Sequence, residues 1–120
     1  MRNSVIDNNT AEDDGGGIYV DDSNLTIRNS SFRGNEAEDS DGGGIYTSSG
    51  SSAMIINSTV SGNEAGEYGG GISIYDGDRL ILRGSLVSGN KAGDLGGGVT
   101  VIDDSSLVLS NSTVSGNEAE

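Results

Sequence analysis

The chain contains no cysteine, histidine, proline or tryptophan. Without Cys it has no disulfide framework and no thiolate metal site, and without His it lacks the usual general base. Only 6 Lys and Arg residues face 19 Asp and Glu residues, and the net charge of -13 argues against a nucleic-acid partner. No apolar run approaches the roughly 20 residues of a membrane helix. Met1–Thr10 also lacks the pattern of a secretion signal, so we expect any export signal to lie outside this chain.

Apolar side chains are scarce as well, at 32% of 120 residues. Low hydrophobicity with high net charge is typical of disordered chains, but we expect disorder only where the residues lack order along the sequence. Here three consecutive glycines recur every 27 residues, and Ile or Val follows each triplet. The triplets begin at Gly15, Gly42, Gly69 and Gly96.

A second motif, Asn-Ser-x-Val in its commonest form, shares this spacing. Its copies begin at Asn3, Asn29, Asn57, Gly84 and Asn111. Each is followed six residues later by another Asn and two residues after that by Ala. These later Asn residues are Asn9, Asn35, Asn63, Asn90 and Asn117. These recurring positions divide a single domain, residues 1–120, into repeats near 3–28, 29–56, 57–83 and 84–110, with a partial repeat at 111–120.

Alternating apolar residues predict three short strands in each repeat, separated by turns rich in Gly, Asn, Asp and Ser. In one repeat these are strand one (Ile72–Ile74) and strand two (Leu80–Leu82), and strand three is Ser58–Val60 of the preceding coil. No segment carries a helical apolar stripe. We therefore predict an all-β parallel β-helix solenoid of about four 27-residue coils.

In such a solenoid equivalent side chains stack into ladders along the axis. Five ladders are predicted to point inward. They are Ile18/Ile45/Ile72/Val99, Val20/Thr47/Ile74/Val101, Leu25/Ala53/Leu80/Leu107, Ile27/Ile55/Leu82/Leu109 and Ile6/Phe32/Val60/Val87/Val114.

The pattern L-x-I-x-N-S-x-V-x-G-N-x-A-x-x-x-G-G-G-I-x-I, which spans Leu80–Val101 with Gly84 in place of Asn, resembles a known family. It is similar to right-handed parallel β-helix proteins of the pectate-lyase-like superfamily. Within them it is most similar to repeats of polymorphic outer membrane proteins and autotransporter passenger regions. The resemblance implies a right-handed coil and an extracellular or cell-surface location. It implies little about activity, because this fold supports lyases, hydrolases, adhesins and inert stalks.

The expected catalytic face, the outward column of strand one, holds Tyr19, Tyr46, Ser73 and Thr100. It offers neither the paired carboxylates of a glycosidase nor the calcium site and cationic base of a lyase. We therefore predict a protein that is not an enzyme. A carbohydrate-binding or polysaccharide-processing β-helix is the alternative, and the two tyrosines could stack on a sugar ring.

The Asn columns are predicted to be structural, because inward amides can bond to the Asn in the next coil. This is expected for Asn29, Asn57 and Asn111, and also for Asn35, Asn63 and Asn90. A ligand-binding role is the alternative. Five N-x-Ser/Thr glycosylation sequons start at Asn8, Asn24, Asn29, Asn57 and Asn111. The last three are expected to be buried and therefore unmodified.

Acidic residues collect in the turn after strand one, where stacking brings like charges close together. They are Asp21, Asp22, Asp76, Asp78, Asp103 and Asp104. Ca²⁺ would relieve the repulsion, because it prefers oxygen ligands. A solvated acidic edge that keeps the solenoid soluble is the alternative. No other cofactor is predicted.

Apolar residues also occupy outward positions, where polar side chains are expected. Met54, Ile56, Ile81 and Val108 come from strand two, and Leu86 comes from strand three. Such a stripe on an acidic surface predicts contact with a second rod, another domain or a partner protein. Simple β-propensity on an exposed face is the alternative.

The predicted function is that of a structural or adhesive surface rod, acting through its outer face and through end-to-end contacts. Expected partners are further copies of the chain or other surface proteins, and a glycan is a further candidate. The uncapped repeats are expected to be an excerpt of a longer rod, a repeat module or a fibre subunit.

Overall fold

A computed structural model describes all 120 residues as strands and turns wound into a solenoid, without any helix. Every strand pairs in parallel with its own copy in the next coil, so Ile72 lies between Ile45 and Val99. The strands stack in about four coils of about 27 residues, which confirms the predicted fold class. Since it has no helix, the chain also has none long and apolar enough to cross a membrane.

Three of the sheets correspond to the predicted strands. The strand-one sheet consists of Ile18–Asp21, Ile45–Ser48, Ile72–Ile74 and Val99–Val101. The strand-two sheet consists of Asn24–Arg28, Ser52–Ile56, Arg79–Arg83 and Ser106–Ser110. The strand-three sheet consists of Val5–Asp7, Ser31–Arg33, Thr59–Ser61, Leu86–Ser88 and Thr113–Ser115.

A fourth sheet of two-residue strands lies between strand three and the glycine triplet, so the prediction of three strands per coil was one too few. We call it the short-strand sheet. It consists of Thr10–Ala11, Glu36–Ala37, Glu64–Ala65, Lys91–Ala92 and Glu118–Ala119. Two residues are too few to show an alternating pattern in the sequence, although the recurring Ala marks the inward position of this sheet.

The core fills the narrow interior with stacked aliphatic side chains and Phe32. Eleven buried residues form one cluster, and the strand pairings place the five predicted inward ladders in register. These eleven residues are Ile27, Phe32, Ile45, Ala53, Ile55, Val60, Ile72, Ile74, Leu80, Leu82 and Val87. β-Branched and Leu side chains stack well at such sites because each packs on its neighbours above and below.

The glycine triplets let the chain turn where successive coils approach closely. The first glycine of a triplet has a positive φ, which is 68° at Gly42. A Cβ on the second glycine would collide with the next coil, since at Gly43 it would lie 2.2 Å from the carbonyl oxygen of Glu64. The triplets therefore have a backbone role that only glycine can fill.

Candidate interaction surface

The strand-two sheet presents an outer surface with an apolar centre. Ile81 pairs with Met54 on one side and Val108 on the other, so these three side chains form one outward column. Ile56 lies beside them in the column of Arg83. Val108 is 41% exposed and Ile81 is 9% exposed, because neighbouring outward side chains flank Ile81 on every side.

Leu86 belongs to the neighbouring strand-three sheet, as its predicted position implied. It pairs with Thr59 and Thr113, and it is 38% exposed. The predicted apolar residues therefore occupy two adjacent faces of the solenoid. Four of them share the strand-two face, and Leu86 stands apart from them.

Arginines lie beside part of the apolar centre, and this clustering was not predicted from the sequence. Arg79 and Arg83 project on either side of Ile81 along the same strand. Arg28 shares a column with Ile56 and Arg83, and Arg2 forms a parallel bridge with Arg28. The sequence does contain a signal for this clustering. Each of Arg28, Arg79 and Arg83 lies two residues from an outward position of the central column, and residues two apart on a strand point to the same face.

The strand-two face is accordingly defined by these arginines, the apolar centre and small polar residues. Its outward positions are Asn24, Thr26, Arg28, Ser52, Met54, Ile56, Arg79, Ile81, Arg83, Ser106, Val108 and Ser110, with Arg2 beside Arg28. None of them is a carboxylate, although the chain has 19 acidic residues. The face is thus apolar and cationic on a strongly acidic molecule.

The acidic turn after strand one places most of its carboxylates at the surface. Asp22, Asp76, Asp103 and Asp104 are exposed turn residues with positive φ. Asp21 is also exposed, and its Oδ1 accepts a hydrogen bond from the Ser48 hydroxyl at 3.2 Å. No group of three or more acidic side chains comes together in a way that could hold a metal ion. The geometry therefore gives the predicted calcium ligands no shared site.

Asp78 differs from these residues because its side chain turns inward and is only 1% exposed. Its Oδ1 accepts a hydrogen bond from the Ser51 amide at 2.6 Å, and its own amide donates to Ser105 Oγ at 3.0 Å. Its Oδ2 has no hydrogen-bond partner. Asp78 therefore continues a column of inward Ser residues and satisfies the backbone of the turn.

An amide ladder runs through the interior at the later Asn column. Asn35 Nδ2 donates to Asn63 Oδ1 at 2.9 Å, and Asn63 Nδ2 donates to Asn90 Oδ1 at the same distance. The backbone amides of Asn35 and Asn63 donate to the same two oxygens. Each rung thereby ties one coil to the next with side-chain and backbone hydrogen bonds.

The earlier Asn column does not point inward, so the predicted burial of Asn29, Asn57 and Asn111 was wrong. All three are exposed and have positive φ, a conformation that Asn tolerates better than most residues. The following Ser takes the interior place, where the Ser30 amide donates to Ser58 Oγ at 3.1 Å. The acceptor Asn of each sequon is therefore exposed, contrary to the expectation.

Tyrosines form an outer ladder on the strand-one sheet. The rings of Tyr19 and Tyr46 stack with centroids 5.3 Å apart, and Tyr75 continues the ladder 5.7 Å from Tyr46. Burial, reinforced by nearby carboxylates, raises the pKa of Tyr46 to about 12. Burial and the hydrogen bond with Asp41 raise the pKa of Tyr75 further. Burial also raises the pKa of Asp41, against the lowering effect of its bonds to Tyr68 and Tyr75.

The tyrosine ladder was only partly predicted, because Tyr75 comes two residues after Ser73 in the outward column. The outward column of Tyr19, Tyr46, Ser73 and Thr100 holds no carboxylate, Lys or Arg, although exposed Asp21 ends the first strand of this sheet. The surface of the molecule has no pocket. The strand-one face therefore carries tyrosine rings on its first two coils, close to the buried carboxyl of Asp41.

A comparison with protein families matches residues 2–120 to the family described as right handed beta helix region. No curated protein and no solved structure matches the chain.

Proposed function

Because the chain belongs to the right-handed β-helix family, we propose that it is a non-enzymatic structural or adhesive module that acts through contacts of its outer faces. The observation that carries this proposal is the strand-two face, where Met54, Ile81 and exposed Val108 form an apolar column and Arg79 and Arg83 flank Ile81. Exposed apolar surface with Arg at its rim is typical of protein contact sites. The proposal assigns no cation to the acidic turns, because no three carboxylates converge there.

We further propose that the chain works outside the cell or at its surface. Its repeats resemble those of polymorphic outer membrane proteins and autotransporter passenger regions. The acidic, cysteine-free composition is compatible with that location. A surface module of this kind binds another copy of itself or another surface protein.

A carbohydrate-binding role is the second candidate function, and the tyrosine ladder favours it. Tyr19 and Tyr46 stack on each other and Tyr75 is tilted against Tyr46, so Tyr19, which is 55% exposed, offers a ring for contact with a sugar. A glycan array tests this directly. Binding that is lost in Tyr46→Ser but retained in Leu86→Thr would assign the ladder to a glycan.

The main proposal is tested by two measurements on the purified chain. Electron microscopy is expected to show ordered assemblies, and these are expected to be reduced in Ile81→Thr/Val108→Thr. Thr is compatible with the fold there because Thr26 occupies the equivalent position in the first coil. Leu86→Thr is the control, since Thr59 and Thr113 flank Leu86 in its own column.

The second measurement is incubation with a panel of polysaccharides followed by detection of new reducing ends. No release above a heat-denatured sample is expected. Release that disappears in Tyr46→Phe would contradict a non-enzymatic function. Assemblies that are unchanged in Ile81→Thr/Val108→Thr would show that the strand-two face does not carry the contact.

A further inference from the structure

Most positive and most negative side chains lie on different sides of this molecule, although the acidic turn after strand one, with exposed Asp76 and Asp103, adjoins one edge of the strand-two face. The strand-two face carries four of the chain's six cationic side chains, namely Arg2, Arg28, Arg79 and Arg83, and no carboxylate. The segments from the short-strand sheet to the glycine triplets, together with the residues that follow the last short strand, carry twelve carboxylates and one Lys. These carboxylates are Glu12, Asp13, Asp14, Glu36, Glu38, Asp39, Asp41, Glu64, Glu67, Asp94, Glu118 and Glu120. We call this second region the acidic side.

The two regions are not neighbours on the solenoid. Each coil passes through the strand-one, strand-two, strand-three and short-strand sheets in that order. The strand-two and short-strand sheets are therefore separated by strand one in one direction and by strand three in the other. Because the coils stack in register, the charges on each side form stripes parallel to the solenoid axis.

We propose that the strand-two face of one molecule docks onto the acidic side of a second copy. This proposal names the partner in the contact on which the proposed function rests. Glu36 and Glu64 are exposed and pair across adjacent coils of the short-strand sheet. Their backbones are therefore about 4.8 Å apart, the spacing of neighbouring strands. Arginine suits such carboxylates because its guanidinium donates two parallel hydrogen bonds to one carboxylate.

The composition of the strand-two face fits this contact. Met54, Ile81 and Val108 supply an apolar centre, while exposed Arg79 and Arg83 supply charge at its edges. In such a contact the apolar centre is dehydrated, while the charged pairs at the rim determine which surface is recognised. The acidic side of the same chain is the complementary surface that the structure itself provides.

The symmetry of this contact determines what it builds. Two different surfaces meet, so each docked copy still offers one free strand-two face and one free acidic side. Copies then add side by side, in an array that does not close by two-fold symmetry. This lateral growth differs from end-to-end stacking, in which coils of successive molecules continue the same sheets.

The test is a charge swap, followed by sedimentation equilibrium at 0.15 M salt. The Debye length is then about 8 Å, so repulsion between remote carboxylates is screened while close pairs persist. One variant, Arg79→Glu/Arg83→Glu, reverses the strand-two face, and the other, Glu36→Lys/Glu64→Lys, reverses the acidic side. The wild-type average mass is expected to rise with concentration. Each variant alone is expected to associate at least about tenfold more weakly.

Mixing the two variants is the decisive step. The native strand-two face of one variant then meets the native acidic side of the other, and the two reversed surfaces are also complementary. Association is therefore expected to return to the wild-type level in the mixture. Circular dichroism of each variant checks that the β-structure is retained, and only folded variants enter the comparison.

A matched pair of single variants separates this contact from a general effect of charge. Arg83→Glu and Arg33→Glu change the net charge equally, but Arg33 lies on the strand-three sheet. Only Arg83→Glu is expected to weaken association. Equal weakening by both variants, or a mixture that stays monomeric, would overturn the proposal.

Two further outcomes also overturn it, and the second of them leaves a contact of the outer face in place. Wild-type association that is unaffected by Arg79→Glu/Arg83→Glu would assign assembly to end-to-end stacking. A wild-type chain that stays monomeric but binds polyglutamate through Arg79 and Arg83 would assign the strand-two face to a different acidic protein.

Discussion

The third and fourth coils carry nearly the same residues in the same ladders, yet their burial differs. Leu82 is 0% exposed, whereas Leu109, its ladder partner in the next coil, is 50% exposed. Val87 is 0% exposed and Val114 is 41% exposed. A side chain in this fold is buried by the coils on both sides of it. The repeat therefore has little stability by itself, and stacking supplies most of the stability.

The largest expected effect comes from removing a core side chain that has neighbours on both sides. Leu82→Ala leaves a cavity between Ile55 and Leu109 and is expected to lower the free energy of unfolding by about 4 kcal/mol. Leu109→Ala is expected to cost about 1 kcal/mol, because half of that side chain is already in water. Urea unfolding followed by circular dichroism measures both values. Equal losses would contradict the dependence on stacking.

The interior amide ladder gives the next largest difference. Asn63→Ala leaves the backbone amide and Nδ2 of Asn35 without their shared acceptor, and it also removes the donor to Asn90 Oδ1. Buried donors without partners are costly, so a loss of about 3 kcal/mol is expected. Asn9→Ala is the control at the exposed end of the ladder and is expected to cost less than about 1 kcal/mol. The same urea titration compares the two variants.

A smaller, pH-dependent effect on the free energy of unfolding is expected from Tyr46. Its ring lies between the rings of Tyr19 and Tyr75, whereas the ring of Tyr19 contacts only that of Tyr46. The folded protein holds the pKa of Tyr46 at about 12, above the value of about 10 in the unfolded chain. Its stabilising contribution is therefore complete below pH 10 and is lost as the pH rises from 10 toward 12. Tyr46→Phe is expected to lose less stability over this interval. Urea unfolding at several alkaline pH values, with phenolate absorbance as a check, measures the difference.

The smallest effect is expected at an exposed position with no ladder role in the core. Arg33→Ser breaks a surface ion pair in which Arg33 Nε lies 3.8 Å from Asp7 Oδ1. Such pairs contribute little, and Ser61 occupies the equivalent position in the next coil. The expected change is within about 0.5 kcal/mol. A change as large as that of Leu109→Ala would show that exposed outer columns contribute more than their burial indicates.

Much of the fold could be predicted because the repeat columns name the stacking partners in advance. Ile18, Ile45, Ile72 and Val99 occur at one spacing, so a coil of constant length places them in one ladder. The short-strand sheet was missed because Glu36–Ala37 and its copies are too short for alternation to show. The candidate surface was only half predicted. Its apolar residues were expected, but its arginines were not.

The error at Asn29 has a different cause. The Asn-Ser pair recurs in a tight turn, and its spacing is the same whether the Asn or the following Ser points inward. The backbone dihedral decides between them, and at Asn29 a φ of 50° turns the side chain to the surface. The neighbouring Ser30 then takes the interior place. Neither the spacing nor the residue types contain this dihedral.

The sequence by itself determined the period, the strand positions and the inward ladders, because alternation and constant spacing are properties of the order of residues. Only the tertiary structure decided which turn residues face the interior. It also decided that Arg2, Arg28, Arg79 and Arg83 share one face, opposite in charge to the short-strand side. Arg2, Arg28 and the pair Arg79 and Arg83 come from different coils. Closing each coil at the turns is what brings them together.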